Sequence, residues 1–258
     1  MKTVLKLLLA ICLIAVGSSA FAADIVNGGF EDGTFNGWTT SGQTSITSAG
    51  TDPRTNNALA LVDDGSHSAR VGDQNAWGYT GDESSSITQT FIGGSTFTDL
   101  YFAWAAVGLV PNNGVPHTTA ETPWFQVKVD DVTKGVNLFT QQYYTGNLGS
   151  ITPGWLAGAT NTSALGQDDA GIWYYRPWDT FHLDLSNTGV SGAGNVVGDQ
   201  LTVTLTTRDC TLNGHASYAY LDGFGSTPPP IATPEPGALL LLVGGLGSLA
   251  GLRRKFKK

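Results

Sequence analysis

Apolar and polar residues alternate in several short runs of the 258-residue chain. Leu201-Thr202-Val203-Thr204-Leu205-Thr206-Thr207 places Leu201, Val203 and Leu205 on one buried face of a strand, because successive strand side chains point to opposite sides. Trp124 to Asp130 alternates likewise, with Phe125, Val127 and Val129 inward, and Phe181-His182-Leu183-Asp184-Leu185 repeats the arrangement. Leu100 to Val110 is apolar almost throughout, which predicts either a central strand covered on both faces or a buried helix of that length. Ser86 to Ile92, Trp173 to Tyr175 and Ser217 to Asp222 bring the strand candidates to at least seven. Between residues 23 and 226 lie 28 glycines, and with Asn, Asp, Ser and Pro they separate these runs by turns. No long helical pattern is present there to cover strands that are apolar on one face. The predicted fold is therefore all-β, an antiparallel β-sandwich in which two sheets bury their apolar faces against each other.

The two ends follow a different pattern. Lys2 and Lys6 precede an apolar run from Leu7 to Val16, and Gly17-Ser18-Ser19-Ala20-Phe21-Ala22 follows, the three-part layout of a secretory signal peptide. The small residues Ala20 and Ala22 predict cleavage after Ala22, so 1–22 reads as a signal helix and the chain is expected to be exported. Cys12 leaves with that segment, and the mature chain keeps one thiol, Cys210, which excludes an intramolecular disulfide. At the other end Pro234-Glu235-Pro236 is followed by the apolar stretch Gly237 to Leu252 and by Arg253-Arg254-Lys255-Phe256-Lys257-Lys258. As a helix, that stretch is about 24 Å long at about 1.5 Å per residue, short of the roughly 30 Å hydrocarbon core. It suits transient insertion into the inner membrane better than permanent anchoring. Thr227 to Thr233, with three consecutive prolines, reads as a stiff spacer.

The order Pro-Glu-Pro, short hydrophobic helix, basic end resembles the PEP-CTERM sorting signal of Gram-negative bacteria, over residues 234–258. The resemblance implies an exosortase-type processing enzyme as partner, with Pro234, Glu235 and Pro236 as the recognised motif. It also implies a destination at the cell surface or in the extracellular matrix, membrane-anchored until the tail is processed. An ordinary retained tail anchor is the alternative.

Charge narrows the partners. Between residues 23 and 226 there are 6 basic against 20 acidic residues, a net charge of −14. A nucleic-acid binder or an anionic-membrane binder would carry a basic patch, so both are excluded for the folded part (23–226).

Asn27-Gly28-Gly29-Phe30-Glu31 with Gly37-Trp38 resembles the opening strand of galactose-binding-domain-like jelly rolls, including carbohydrate-binding modules. In those folds the first and last strands lie side by side and often hold a structural calcium ion. By that resemblance Tyr218 to Asp222 is the last strand, and Glu31 with Asp222 are the metal-binding carboxylates. Calcium takes six to eight hard oxygen ligands, and an acidic domain favours cation uptake. The alternative is a solvated Glu31 and an Asp222 that merely opens the Asp222-Gly223 turn.

Aromatic residues supply the candidate sugar contacts: Trp77, Tyr79, Trp155, Trp173, Tyr174, Tyr175 and Trp178. Flat rings suit the C–H faces of sugars, while tyrosine hydroxyls satisfy sugar hydroxyls. The competing reading places part of them in the sandwich core. Cys210 and His215 are five positions apart, yet they make only half a tetrahedral zinc site and read better as a turn. The adjacent pairs Asp63-Asp64, Asp130-Asp131 and Asp168-Asp169 form no catalytic motif. The expected function is that of a noncatalytic surface or matrix protein associating with polysaccharide. A structural protein with a protein partner comes second, and a carbohydrate-active enzyme third.

Overall fold

The computed structural model describes residues 25–74, 84–111, 118, 121–147, 149–161, 171–210 and 215–230. Thirteen strands run β1 Thr39–Ser41, β2 Thr44–Ser48, β3 His67–Gly72, β4 Ser84–Ile92, β5 Asp99–Pro111, β6 Trp124–Asp131 and β7 Val136–Tyr144, then β8 Gly146–Asn147, β9 Ser150–Ile151, β10 Leu156–Asn161, β11 Gly171–Asp184, β12 Gln200–Arg208 and β13 Ser217–Gly225. A single 3-10 turn, Pro53–Thr55, is the one helical element among the described residues. A five-stranded sheet, β1-β4-β12-β6-β7, faces a six-stranded sheet, β10-β11-β5-β13-β3-β2, and β8 with β9 forms a small ribbon. Every pairing is antiparallel. This is the predicted all-β sandwich. The signal helix and the C-terminal hydrophobic helix fall outside the described residues, and among those described no helix is long and apolar enough to cross a membrane.

Alternation decides which side of each strand is buried. In β12 Leu201, Val203 and Leu205 are fully buried between the sheets while Thr202, Thr204 and Thr206 face outward, as their spacing requires. Phe125, Val127 and Val129 do the same in β6. Between the sheets, Phe102 stacks on Phe181 at 4.6 Å and on Phe224 at 4.5 Å, and Trp104 stacks on Phe125 at 5.0 Å. The apolar run 100–110 is a strand, β5, buried on both faces. Leu100, Phe102, Trp104 and Ala106 point into the main core, and Ala105, Val107 and Leu109 into a second cluster on the other side.

Two expected strands are one. Trp173–Tyr175 and Phe181–Leu183 both lie in β11, which pairs with β5 along its length and shifts register between Arg176 and Asp179. Pro177 sits in the shift, where its missing N–H would otherwise break the ladder. There the Arg176 guanidinium lies 4.9 Å from the Trp104 ring and 5.5 Å from the Tyr143 ring, and pairs with Asp179 at 2.9 Å.

The second cluster needs a cover, and no third sheet supplies it. A strap, residues 50–61, folds over the outer face of the six-stranded sheet, closed by a Thr51–Ala60 bridge. Leu59 enters the cluster with Trp173, Tyr175, Tyr218 and Tyr220, and Arg54 lies 5.1 Å from the Trp173 ring. The strap is fastened by Asp52, itself fully buried. Its Oδ2 accepts from the hydroxyls of Tyr218 at 2.6 Å and Tyr220 at 2.9 Å, and its Oδ1 accepts from the Arg54 N–H at 2.8 Å. The first part of the expected spacer lies against β13: Pro229 is buried, and a Cβ on Gly223 would sit 3.1 Å from it.

Two outcomes are expected of this fastening. Asp52→Ala strands two buried hydroxyls and should lower stability by about 3 to 5 kcal/mol, read by denaturant unfolding. Burial, and after it Asp52, push the hydroxyls of Tyr218 and Tyr220 well above the usual tyrosine value. The folded state keeps both protons where the unfolded chain loses them, so this contribution is whole below about pH 10 and fades as pH rises further. In an alkaline titration the two tyrosines should ionise only as β-sheet circular dichroism is lost, and Tyr218→Phe should remove one proton from that step.

Candidate functional site

The outer face of the five-stranded sheet is polar and uncovered by other described residues. Its outward residues are aligned by the strand register into rows that cross the sheet. One row is Thr39, Thr88, Thr204, Lys128 and Thr140. The next is Ser41, Ser86, Thr206, Gln126 and Gln142. A third holds Thr90, Thr202, Asp130 and Asn137, and a fourth Ser84, Arg208, Trp124 and Tyr144. Apart from Trp124 these side chains are half-buried or exposed. Neighbouring strands lie about 4.8 Å apart, so each row offers a hydrogen-bonding group at about that repeat.

Local contacts hold the rows in place. Thr88 donates to Thr204 at 3.3 Å, and the Thr90 and Thr202 hydroxyls are 3.0 Å apart. Lys128 pairs with Asp130 at 2.7 Å, and Asn137 Nδ2 donates to Asp130 Oδ1 at 2.9 Å. The Tyr144 hydroxyl donates to Gln142 Oε1. Hydroxyls and amides both donate and accept, and each threonine adds a methyl, so the face matches a ligand of alternating hydroxyl and C–H character. The signal for it was present in the sequence as the polar half of the β4 and β12 alternation, which had served only to locate the buried half.

A second constellation lies where the chain's opening meets its last strand. Asn27 to Phe30 is a run of turns rather than the expected strand, with Asn27 and Phe30 at φ values of 50° and 58° and Phe30 fully buried. A left-handed phenylalanine is a strained backbone held by its ring's burial. The turn is tied to β13 by the Phe224 N–H, which donates to the Gly28 carbonyl at 3.0 Å. Only glycine fits there, since a Cβ at residue 28 would lie 2.1 Å from the Phe224 oxygen. Glu31 and Asp222 both lie beside Gly29: a Cβ there would be 3.6 Å from Glu31 Cγ and 3.7 Å from Asp222 Oδ1. Asp222 is buried, and burial pushes its carboxyl up to about 7. The N–H groups of Asp64, Asp63 and Gly223 act in the opposite direction, and the Asp63 charge adds to the rise. Glu31 accepts from the Ser66 and His67 N–H groups at 3.0 Å. The donors here are oxygens, the kind calcium takes, and the partners of Asp222 include no Lys or Arg to neutralise it. Among the described residues no group of three or more His, Cys, Asp or Glu is placed to share a metal, so further ligands would have to be backbone or water oxygens.

The aromatic candidates separate. Trp173 and Tyr175 are buried under the strap and Trp155 is buried in the main core, so these three rings are packing groups with no face free for a sugar. For Trp173 and Tyr175 the physical reason is the strap, which turns their sheet face into interior. Tyr174 is half-buried against the main core, and Trp178 is half-buried with its Nε1 donating to the Ala60 carbonyl at 2.9 Å. Trp77 and Tyr79, like Ala20, Ala22, Pro234, Glu235 and Pro236, lie outside the described residues. Cys210 and His215 are both fully buried and joined by a backbone bond of 3.0 Å from Cys210 N to His215 O. Asp130 faces out and Asp131 is buried, while Asp63 and Asp64 give their N–H groups to Asp222.

No protein-family model and no curated protein matches the chain. Among solved structures, it is similar to a carbohydrate-binding module of family 28 specific for non-crystalline cellulose. The identity is 12% over 79% of this chain and 94% of that one, with a TM-score of 0.36. The module CBM27-1 of Caldicellulosiruptor saccharolyticus, solved with mannohexaose, matches at 13% identity over 80% and 98% of the two chains, TM-score 0.35. The enzymatically active domain of tailspike protein 4 from bacteriophage CBA120 matches at 12% identity and TM-score 0.35; the match covers 80% of this chain and 21% of that chain. Likenesses of this degree carry no argument about function, which has to come from this chain's own surfaces.

Proposed function

We propose that the protein is an exported, noncatalytic component of the cell surface or extracellular matrix that associates with polysaccharide through the outer face of the five-stranded sheet. The observation that carries the reading is the register itself. It aligns Thr, Ser and Gln side chains in rows across the whole sheet and leaves them open, with Tyr144 at one edge. An extended polymer laid along a row meets a donor or acceptor at each strand, and weak contacts add over the length of the chain bound. Export rests on the Lys2-to-Ala22 pattern. Sorting by an exosortase-type enzyme, with transient insertion in the inner membrane, rests on Pro234-Glu235-Pro236 and the apolar and basic segments after it.

Affinity electrophoresis in gels containing polysaccharide from the producing organism tests the binding face. Gln126→Ala with Gln142→Ala should weaken retention about tenfold or more, corresponding to about 1.4 kcal/mol or more of lost hydrogen bonding. Thr180→Ala, exposed on the opposite sheet, should leave retention as it is. Equal retention of all three proteins, or none of any, overturns the reading.

Glu31 and Asp222 are proposed to hold a structural calcium ion, whose charge would neutralise a buried acid. Occupancy at a hundred times the dissociation constant would add about 2.7 kcal/mol to stability. Chelation should then lower the melting temperature, and Asp222→Asn should abolish the response. An unchanged melt when calcium is added back to chelator-treated protein removes the site.

A further inference from the structure

Four strands end the two sheets, and their edges differ. β1 has three residues and β2 five, too short to template another strand well. β10 is covered by the strap: a Cβ on Gly158 would lie 2.4 Å from the Arg54 carbonyl oxygen, and its register slips between Ala157 and Thr160. β7 is longer, and no strap of described residues covers it. It runs nine residues along the edge of the five-stranded sheet, among the described residues it pairs only with β6, and its sequence Val-Asn-Leu-Phe-Thr-Gln-Gln-Tyr-Tyr contains no charge and no proline. A bulge sits at its start, between the pairs of Val129 and Asp130. Beyond it Phe139 to Tyr144 is regular, about 20 Å of strand at about 3.3 Å per residue. Soluble proteins ordinarily blunt such an edge with lysine, proline or an inward charge, because its unpaired N–H and C=O groups will accept another strand.

The partner follows from charge. From Gly135 to Gln167 there is no Asp, Glu, Lys or Arg, whereas residues 23–226 as a whole carry 20 acidic against 6 basic residues. Two copies meeting elsewhere bring like charges together, and meeting at β7 they do not. A strand also pairs antiparallel with itself about a two-fold axis, which satisfies the free backbone groups of both copies.

We propose that β7 is a self-association edge, at which a second copy of this chain adds its own Phe139–Tyr144 antiparallel. The two five-stranded sheets then form one continuous sheet across the two-fold. The pairing stands on the strand edge alone. Where the polysaccharide reading also holds, it makes the protein bivalent, with both row-bearing faces on one sheet.

Gln141 gives the test, being exposed on β7 but outside the outward rows. Sedimentation of the full chain, without polysaccharide and in a mild detergent that masks its apolar ends, should show a monomer–dimer equilibrium. Gln141→Lys and Gln141→Glu should each weaken dimerisation at least tenfold with unchanged circular dichroism, and mixing the two variants should restore it. Thr40→Lys, on the β1 edge, should dimerise as the parent does. A parent protein that stays monomeric at high micromolar concentration, or a dimer that both Gln141 variants leave intact, overturns the proposal. Neither result touches the polysaccharide reading, whose retention assay reads variants on a different face.

Discussion

A strand that is apolar on both faces has to be covered on both, and β5 is that strand. Between the sheets it meets Phe125, Phe181 and Phe224; on its other side Ala105, Val107 and Leu109 would be exposed without the strap. The strap is short and contributes few apolar groups, so its hold depends on Asp52, whose oxygens satisfy two tyrosine hydroxyls in a dry setting. A buried carboxyl with every partner supplied fixes the strap's position more narrowly than apolar contact alone would. One sheet face thereby becomes interior. The other sheet keeps a polar outer face, where threonine, serine, glutamine and asparagine stand beside Lys128, Asp130 and Arg208.

Acidic residues are managed in two ways. Where a cation is at hand it is used, as with Lys128 for Asp130 and Arg176 for Asp179. At the junction of the opening turns with β13, the hydrogen-bond partners of Asp222 and Glu31 among the described residues are backbone N–H groups, with the His67 ring 4.0 Å from Glu31. Asp222 receives three of them and Glu31 two, while burial still holds the Asp222 carboxyl far above its usual range. Folding thus concentrates acid there. The same scarcity of basic residues makes an uncharged edge a distinctive feature of the molecule, since β7 brings no charged side chain of its own against a second copy.

The alternation in β12 and β6 was legible because one sheet face is buried and a one-residue slip would expose Leu201, Val203 and Leu205. β5 stood out by its continuous apolarity. β7 did not stand out, because Val-Asn-Leu-Phe-Thr-Gln-Gln-Tyr-Tyr has no clean period; its bulge takes Leu138 and Phe139 both toward the core. The opening turns were read as a strand because Asn27-Gly28-Gly29-Phe30 carries its conformation in left-handed backbone angles that residue types only permit. The aromatic rings were assigned by chemistry to sugar, yet Trp173 and Tyr175 are covered by a loop more than a hundred residues away in sequence.

The sequence alone determined the all-β class, the inward face of the regular strands and the acidic character of the body. These depend on local period and composition, which are properties of neighbouring residues. Tertiary structure alone decided which polar residues line up into rows, which aromatics are sealed beneath the strap, and that Asp222 takes the Asp63 and Asp64 N–H groups. Each of those is a matter of strand order and register between segments far apart in the chain, and no single segment records where its partner will lie.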